Sequence, residues 1–98
     1  MSDTILLVED SADDVFFMER AMKTAKFSAT LKVAKDGQVA LDYLGGKGEF
    51  ADREKFPMPC LVLLDLKLPH VLGLDILKWI RNQPALQGLP VVVLSSSG

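Results

Sequence analysis

The chain holds a single cysteine, Cys60, so no disulfide can form within it. Positive charge is not in excess: 11 basic against 13 acidic residues leave a formal net charge of −2. That balance provides neither the basic footprint of a nucleic-acid binder nor a polybasic patch for a membrane surface. No apolar run is long enough to span a bilayer or to form the hydrophobic region of a signal peptide. Histidine occurs once, as His70, and a lone histidine in a loop reads as a solvated side chain rather than a metal ligand. There is no internal repeat, no low-complexity segment and no glycine-rich phosphate loop after the first apolar run. These absences point to one small domain of 98 residues, cytoplasmic, with no nucleic-acid or membrane partner. With 49% apolar residues the chain can build a core, although a modest one.

What is present is an alternation of strand and helix patterns. Residues 4–8 form a short continuous apolar run, the mark of a strand buried on both faces. Ser11 reads as the N-cap of a first helix, with Asp14 as its capping-box partner, and that helix runs to about Lys26. Ala29, Leu31 and Val33 alternate with polar residues, as on an edge strand. Asp36-Gly37 opens a second helix that Gly45-Gly46 stops. Residues 47–59 are polar and punctuated by proline, and are read as a long loop in which the acids and bases of 47–55 are solvated. A third strand covers 60–64, beginning at a buried Cys60, and a third helix runs from about Gly73 to Pro84. Pro90 opens the last strand, Val91, Val92, Val93 and Leu94. The order βαβαβαβ predicts a parallel sheet with right-handed crossovers and helices on its faces. The expected strand order is 2-1-3-4, with the switch point between strands one and three.

Three strands carry polar groups at their C-terminal tips: Glu9-Asp10, Asp65 and Ser95. In open α/β sheets ligands bind outside those ends, so the three segments are expected to assemble one site. Crowded carboxylates repel, and one would take up a proton at a raised pKa unless a divalent cation relieved it. Magnesium prefers one or two carboxylates together with water and a phosphate oxygen. An ionised Asp65 beside such a cation is a competent nucleophile toward phosphorus.

With ILLVED at 5–10, LVLLDLKLP at 61–69 followed by Gly73, and LPVVVLS at 89–95, the chain resembles the receiver domain of two-component response regulators. The long segment before the third strand, GKGEFADREKFPMP, is most similar to the small stand-alone regulators of the cyanobacterial phytochrome type. The resemblance implies a flavodoxin-like three-layer fold and Mg2+, or Mn2+ in its place, as cofactor. It makes Asp65 the phosphoacceptor, Asp10, Glu9 and Asp65 metal ligands, the backbone carbonyl of Lys67 a further ligand, and Ser95 the hydroxyl that contacts the phosphoryl group. A sensor histidine kinase is the implied phosphodonor. Such a domain is at most an enzyme upon itself, catalysing its own phosphorylation and dephosphorylation.

The family pattern continues beyond strand four with a fourth helix, a fifth strand bearing a lysine, and a fifth helix. The expectation for residues 1–98 is therefore a truncated receiver lacking those elements. Lys67, two residues after Asp65, is a candidate substitute for the lysine. Strand four and the sheet face left bare are expected to drive homo-oligomerisation.

Other readings compete. An aspartyl-phosphate phosphatase would carry a second aspartate two residues after the nucleophile, where this chain has Lys67. A nucleotide or flavin binder would not place Glu9, Asp10, Asp13 and Asp14 where phosphate sits. A βα fragment that only self-associates, with a vestigial site, is the remaining alternative. Taken singly, Asp13, Asp14, Asp42 and Asp75 read as helix charges, and the methionines and Trp79 as core or interface.

Overall fold

The computed structural model describes residues 3–65 and 73–94. Four strands, β1 (Thr4–Val8), β2 (Thr30–Ala34), β3 (Leu61–Asp65) and β4 (Val91–Leu94), form one sheet in the order β2-β1-β3-β4. All pairings are parallel, with Leu6 beside Lys32 and Val62, and Leu64 beside Val93. The crossovers are α1 (Ala12–Thr24), α2 (Gly37–Gly45) and α3 (Gly73–Arg81). This is the expected flavodoxin-like arrangement, with the two most apolar strands in the middle.

Alternation along each strand sorts side chains onto two faces. Leu6, Val8, Ala34, Val62 and Leu64 join Ala40, Tyr43 and Leu44 of α2 and Ile76 and Ile80 of α3 in one buried core. Ile5 and Leu7 point the other way, toward α1, and are also buried. Coverage there is thinner: α1 contributes no buried residue, and its Phe16 and Phe17 are 55% and 64% exposed.

The caps explain where the helices begin and end. The Asp36 carboxylate accepts from Val39 N–H at 2.9 Å and fixes the start of α2. Gly46 closes that helix at φ 66°, in the left-handed region that glycine enters without a Cβ penalty. Ser11 caps α1 by accepting from Asp14 N–H at 3.3 Å, but only half of the expected capping box forms. The Ser11 N–H donates to Glu9 Oε2 at 3.2 Å rather than to the Asp14 carboxylate. A carboxylate two residues back, already aimed at the strand tip, reaches that donor where the short Asp14 side chain does not.

Two further expectations are corrected. The third strand runs one residue later than read, and Cys60 is exposed outside it, its N–H donating to Thr4 O at 2.8 Å. In residues 47–59 the charged Lys47, Glu49, Asp52, Glu54 and Lys55 are exposed as expected, but Arg53 is not, and the segment is not an irregular loop throughout. A 3-10 turn at Gly48–Ala51 and an aromatic trio fold the segment onto α2, with Phe50 and Phe56 rings 4.9 Å apart and Tyr43 beside both. Arg53 binds it down. Its guanidinium donates to the carbonyls of Tyr43 (2.8 Å) and Leu44 (3.2 Å) in the last turn of α2, and to that of Phe56 (3.3 Å) in the segment itself, so one side chain ties the two together. Polarity alone hid this, because the charge of Arg53 is spent on backbone rather than on water.

Candidate functional site

The site lies at the C-terminal tips of β1 and β3, the central pair of strands. A parallel sheet delivers both tips to the same edge, and the neighbouring order β1-β3 sets them side by side. Glu9 and Asp10 follow β1 directly, and Asp65 is the last residue of β3. Glu9 N–H donates to Ala34 O at 3.0 Å, extending the β1–β2 ladder by one bond and fixing the height of the Glu9 side chain.

Glu9 and Asp65 are buried, at 7% and 6% exposure, while Asp10 is open to solvent. One carboxylate oxygen from each of the three lies within 4.8 Å of the other two. Around an octahedral magnesium with bonds of about 2.0–2.1 Å, ligand oxygens stand roughly 3–4 Å apart. The cluster is therefore close to that span, and its all-oxygen donor set suits a hard divalent cation such as Mg2+ or Mn2+.

The electrostatics agree with that fit. Burial is the main influence pushing the Glu9 carboxyl up from 4.5 to about 7. The Ser11 N–H pulls the other way, and the neighbouring Asp65 then adds repulsion and a hydrogen bond that favours the protonated acid. Asp14 contributes a smaller push in the same direction. Crowding of negative charge at a dry strand tip is thus relieved by a proton on Glu9, or by a cation.

Of the residues picked out from sequence, Glu9, Asp10 and Asp65 converge. Lys67, His70 and Ser95 lie outside the described residues. Two further residues line the same edge: Asp14, read from sequence as a helix charge, and Lys35, which was not singled out. Asp14 borders a groove of about 340 Å³ with Glu9, Asp65, Phe17 and Leu94. Lys35 borders a second groove, on the β2 side, with Glu9 and Asp10. A signal for Lys35 was available, since it directly follows a parallel strand and must lie at the ligand-binding edge.

Fold and site together define an α/β domain with a cation-sized acidic cluster at the switch point of a parallel sheet. A family model, the response regulator receiver domain, matches residues 5–98, and the chain belongs to that family. The response regulator Rcp1 of Synechocystis sp. is 41% identical over 93 residues, which is 95% of this chain and 61% of that protein. The crystal structure of a phosphorylated cyanobacterial phytochrome response regulator, RcpA, superposes with a TM-score of 0.88 at 36% identity, covering 99% of this chain and 67% of that one. The Mn2+-bound form of Rcp1 superposes at 0.86 with 40% identity, covering 97% and 66%. The chain thus spans about 61% of the length of its curated relative Rcp1. Among the described residues no helix is long and apolar enough to cross a membrane.

Proposed function

We propose that the chain acts as a cytoplasmic phosphoacceptor in a two-component relay, with Asp65 as the residue that receives the phosphoryl group. The observation that carries this is the convergence of Glu9, Asp10 and Asp65 within 4.8 Å at the switch point of the sheet. Glu9 and Asp10, with the backbone carbonyl of Lys67, would hold Mg2+ beside Asp65. A bound cation supplies charge neutralisation of the crowded carboxylates and of the phosphoryl oxygens. The chain supplies the rest. The Asp65 carboxylate oxygen attacks phosphorus, and the bond from phosphorus to the donor's histidine nitrogen breaks as the new O–P bond forms. The departing imidazole keeps the electron pair and takes a proton. The Ser95 hydroxyl is assigned to a phosphoryl oxygen of the product. The 6% exposure of Asp65 limits the access of water to the acyl phosphate.

The donor is assigned as a sensor histidine kinase, the chemistry that gives a receiver its phosphoryl group. Phosphorylation of the chain by acetyl phosphate, followed by mass spectrometry, tests the assignment without the kinase. Label is expected on Asp65, dependent on Mg2+ and absent from Asp65→Asn. Label retained in Asp65→Asn would sink the reading.

A second reading concerns assembly. β4 is an edge of the described sheet, and its Val92 and Val93 are 47% and 38% exposed. An apolar edge strand is a template for pairing, and we assign homo-oligomerisation to β4 and the adjoining sheet face. Sedimentation should give a dimer that Val92→Lys returns to monomer. A monomeric parent chain at high concentration would refute it.

A further inference from the structure

The phosphodonor problem at this site is electrostatic. Glu9, Asp10 and Asp65 bring three negative charges to one strand edge, and a divalent cation leaves a net charge of about −1. Asp14 and Glu19 line the flanking grooves and add to it. A phosphodonor is itself an anion and meets this field before it meets Asp65. Among the described residues, the lining of the groove beside Asp65, of about 340 Å³, holds no basic residue.

The groove on the opposite flank does. It measures about 530 Å³ and runs between α1 and β2, with Val15 and Val33 as apolar walls. Glu9 and Asp10 form one end, and among the described residues Lys35 is the basic one in its lining. The backbone holds Lys35 there. Ala34 ends β2 and accepts the Glu9 N–H at 3.0 Å, so Lys35 is the next residue after the one bonded to the site. Lys35 is exposed and, among the described residues, makes no hydrogen bond or ion pair, so its ammonium is not committed to a structural partner.

We propose that Lys35 is an electrostatic guide for the anionic phosphodonor, offsetting the negative field of the acid cluster from the β2 flank. This rests on the phosphoacceptor reading above. The role acts through space: a cation in a groove shared with the cluster raises the local concentration of a phosphoryl anion without touching the reacting atoms. It has a second consequence of opposite sign. The same positive charge repels the incoming metal, so Lys35 weakens Mg2+ binding while speeding the donor's arrival.

That opposition is the test. Mg2+ is titrated into the parent chain, Lys35→Gln and Lys35→Glu by NMR shifts of the Asp10 and Asp65 amides. Initial rates of Asp65 phosphorylation by acetyl phosphate are then measured at saturating Mg2+. Lys35→Glu is expected to tighten Mg2+ by about two- to fivefold and to slow phosphorylation by about three- to tenfold at low salt, with Lys35→Gln between. Both effects should shrink toward unity near 0.5 M salt, where the screening length falls to roughly 4 Å. Loss of both metal affinity and rate, or no change in either, overturns the role of Lys35. A parent chain that binds Mg2+ but takes no label from acetyl phosphate overturns the phosphoacceptor reading itself, an outcome distinct from a labelled parent with an insensitive Lys35→Glu.

Discussion

The two faces of the sheet are made from the same kinds of residue and are put to different uses. On the α2–α3 face, Leu6, Val8, Val62 and Leu64 have no exposed surface, and a folded segment held by Arg53 closes one end of the layer. On the α1 face, Leu61 and Leu63 are only half-buried, and the helix above them turns two phenylalanines to solvent. Yet Glu9 and Asp65 border the groove on this looser side, with Leu7 and Phe17. One face carries most of the packing energy and the other borders the chemistry. The separation has a physical basis, because close-packed interiors resist the rearrangement that a reacting site needs.

Neighbouring leucines break that comparison most sharply. Leu64→Ala empties a fully buried position and is expected to cost about 3–4 kcal/mol, a large share of a small domain's stability. Leu63→Ala, one residue away on the half-buried face, should cost about 1–1.5 kcal/mol. Urea unfolding of both variants checks the ratio, and equal losses would mean that α1 packs as tightly as α2 and α3.

The next effect belongs to the acid cluster. The folded carboxyl of Glu9 titrates near 7 against an ordinary 4.5, so the folded state binds the extra proton. Stability of the metal-free protein is then full below about pH 4.5 and declines as pH rises toward 7, by up to about 3 kcal/mol for this group. Thermal melts from pH 5 to 7.5 should show the fall without Mg2+ and its suppression with Mg2+. Metal binding near pH 6 should also release about one proton, readable by calorimetry in buffers of different ionisation enthalpy.

Arg53→Ala removes three donor contacts to carbonyls and is expected to cost about 2 kcal/mol, with Arg53→Lys recovering only part, since a lysine cannot reproduce the guanidinium fork. The smallest effect is predicted at the surface. Phe16→Ser should shift stability by no more than about 0.5 kcal/mol, because its ring meets mainly Phe17 and Arg20 on the same helix. A larger loss in urea unfolding would show that α1 covers more of its face than the exposures indicate.

How much of this was legible beforehand follows from what each signal encodes. Strand order and the meeting of Glu9, Asp10 and Asp65 were readable, because apolar continuity places strands and the parallel-sheet rule places their tips. Arg53 was not, since its partners are backbone carbonyls that leave no trace in the pattern of side chains. The half-formed capping box failed for a related reason: Ser11 had two carboxylates within reach, and spacing alone favoured the wrong one. Lys35 lay between these cases, placed by topology yet silent in composition.

The segment of residues 47–59 offers a protease three basic residues, Lys47, Arg53 and Lys55. By sequence it is the natural place to nick the chain. The guanidinium of Arg53 is turned inward onto the end of α2, so a trypsin-like enzyme, which must draw that side chain into its own pocket, has no hold on the middle of the segment. Lys47 and Lys55 remain within reach on the exposed surface. The order of cuts in limited digestion therefore reports, from outside, whether the arginine is still docked.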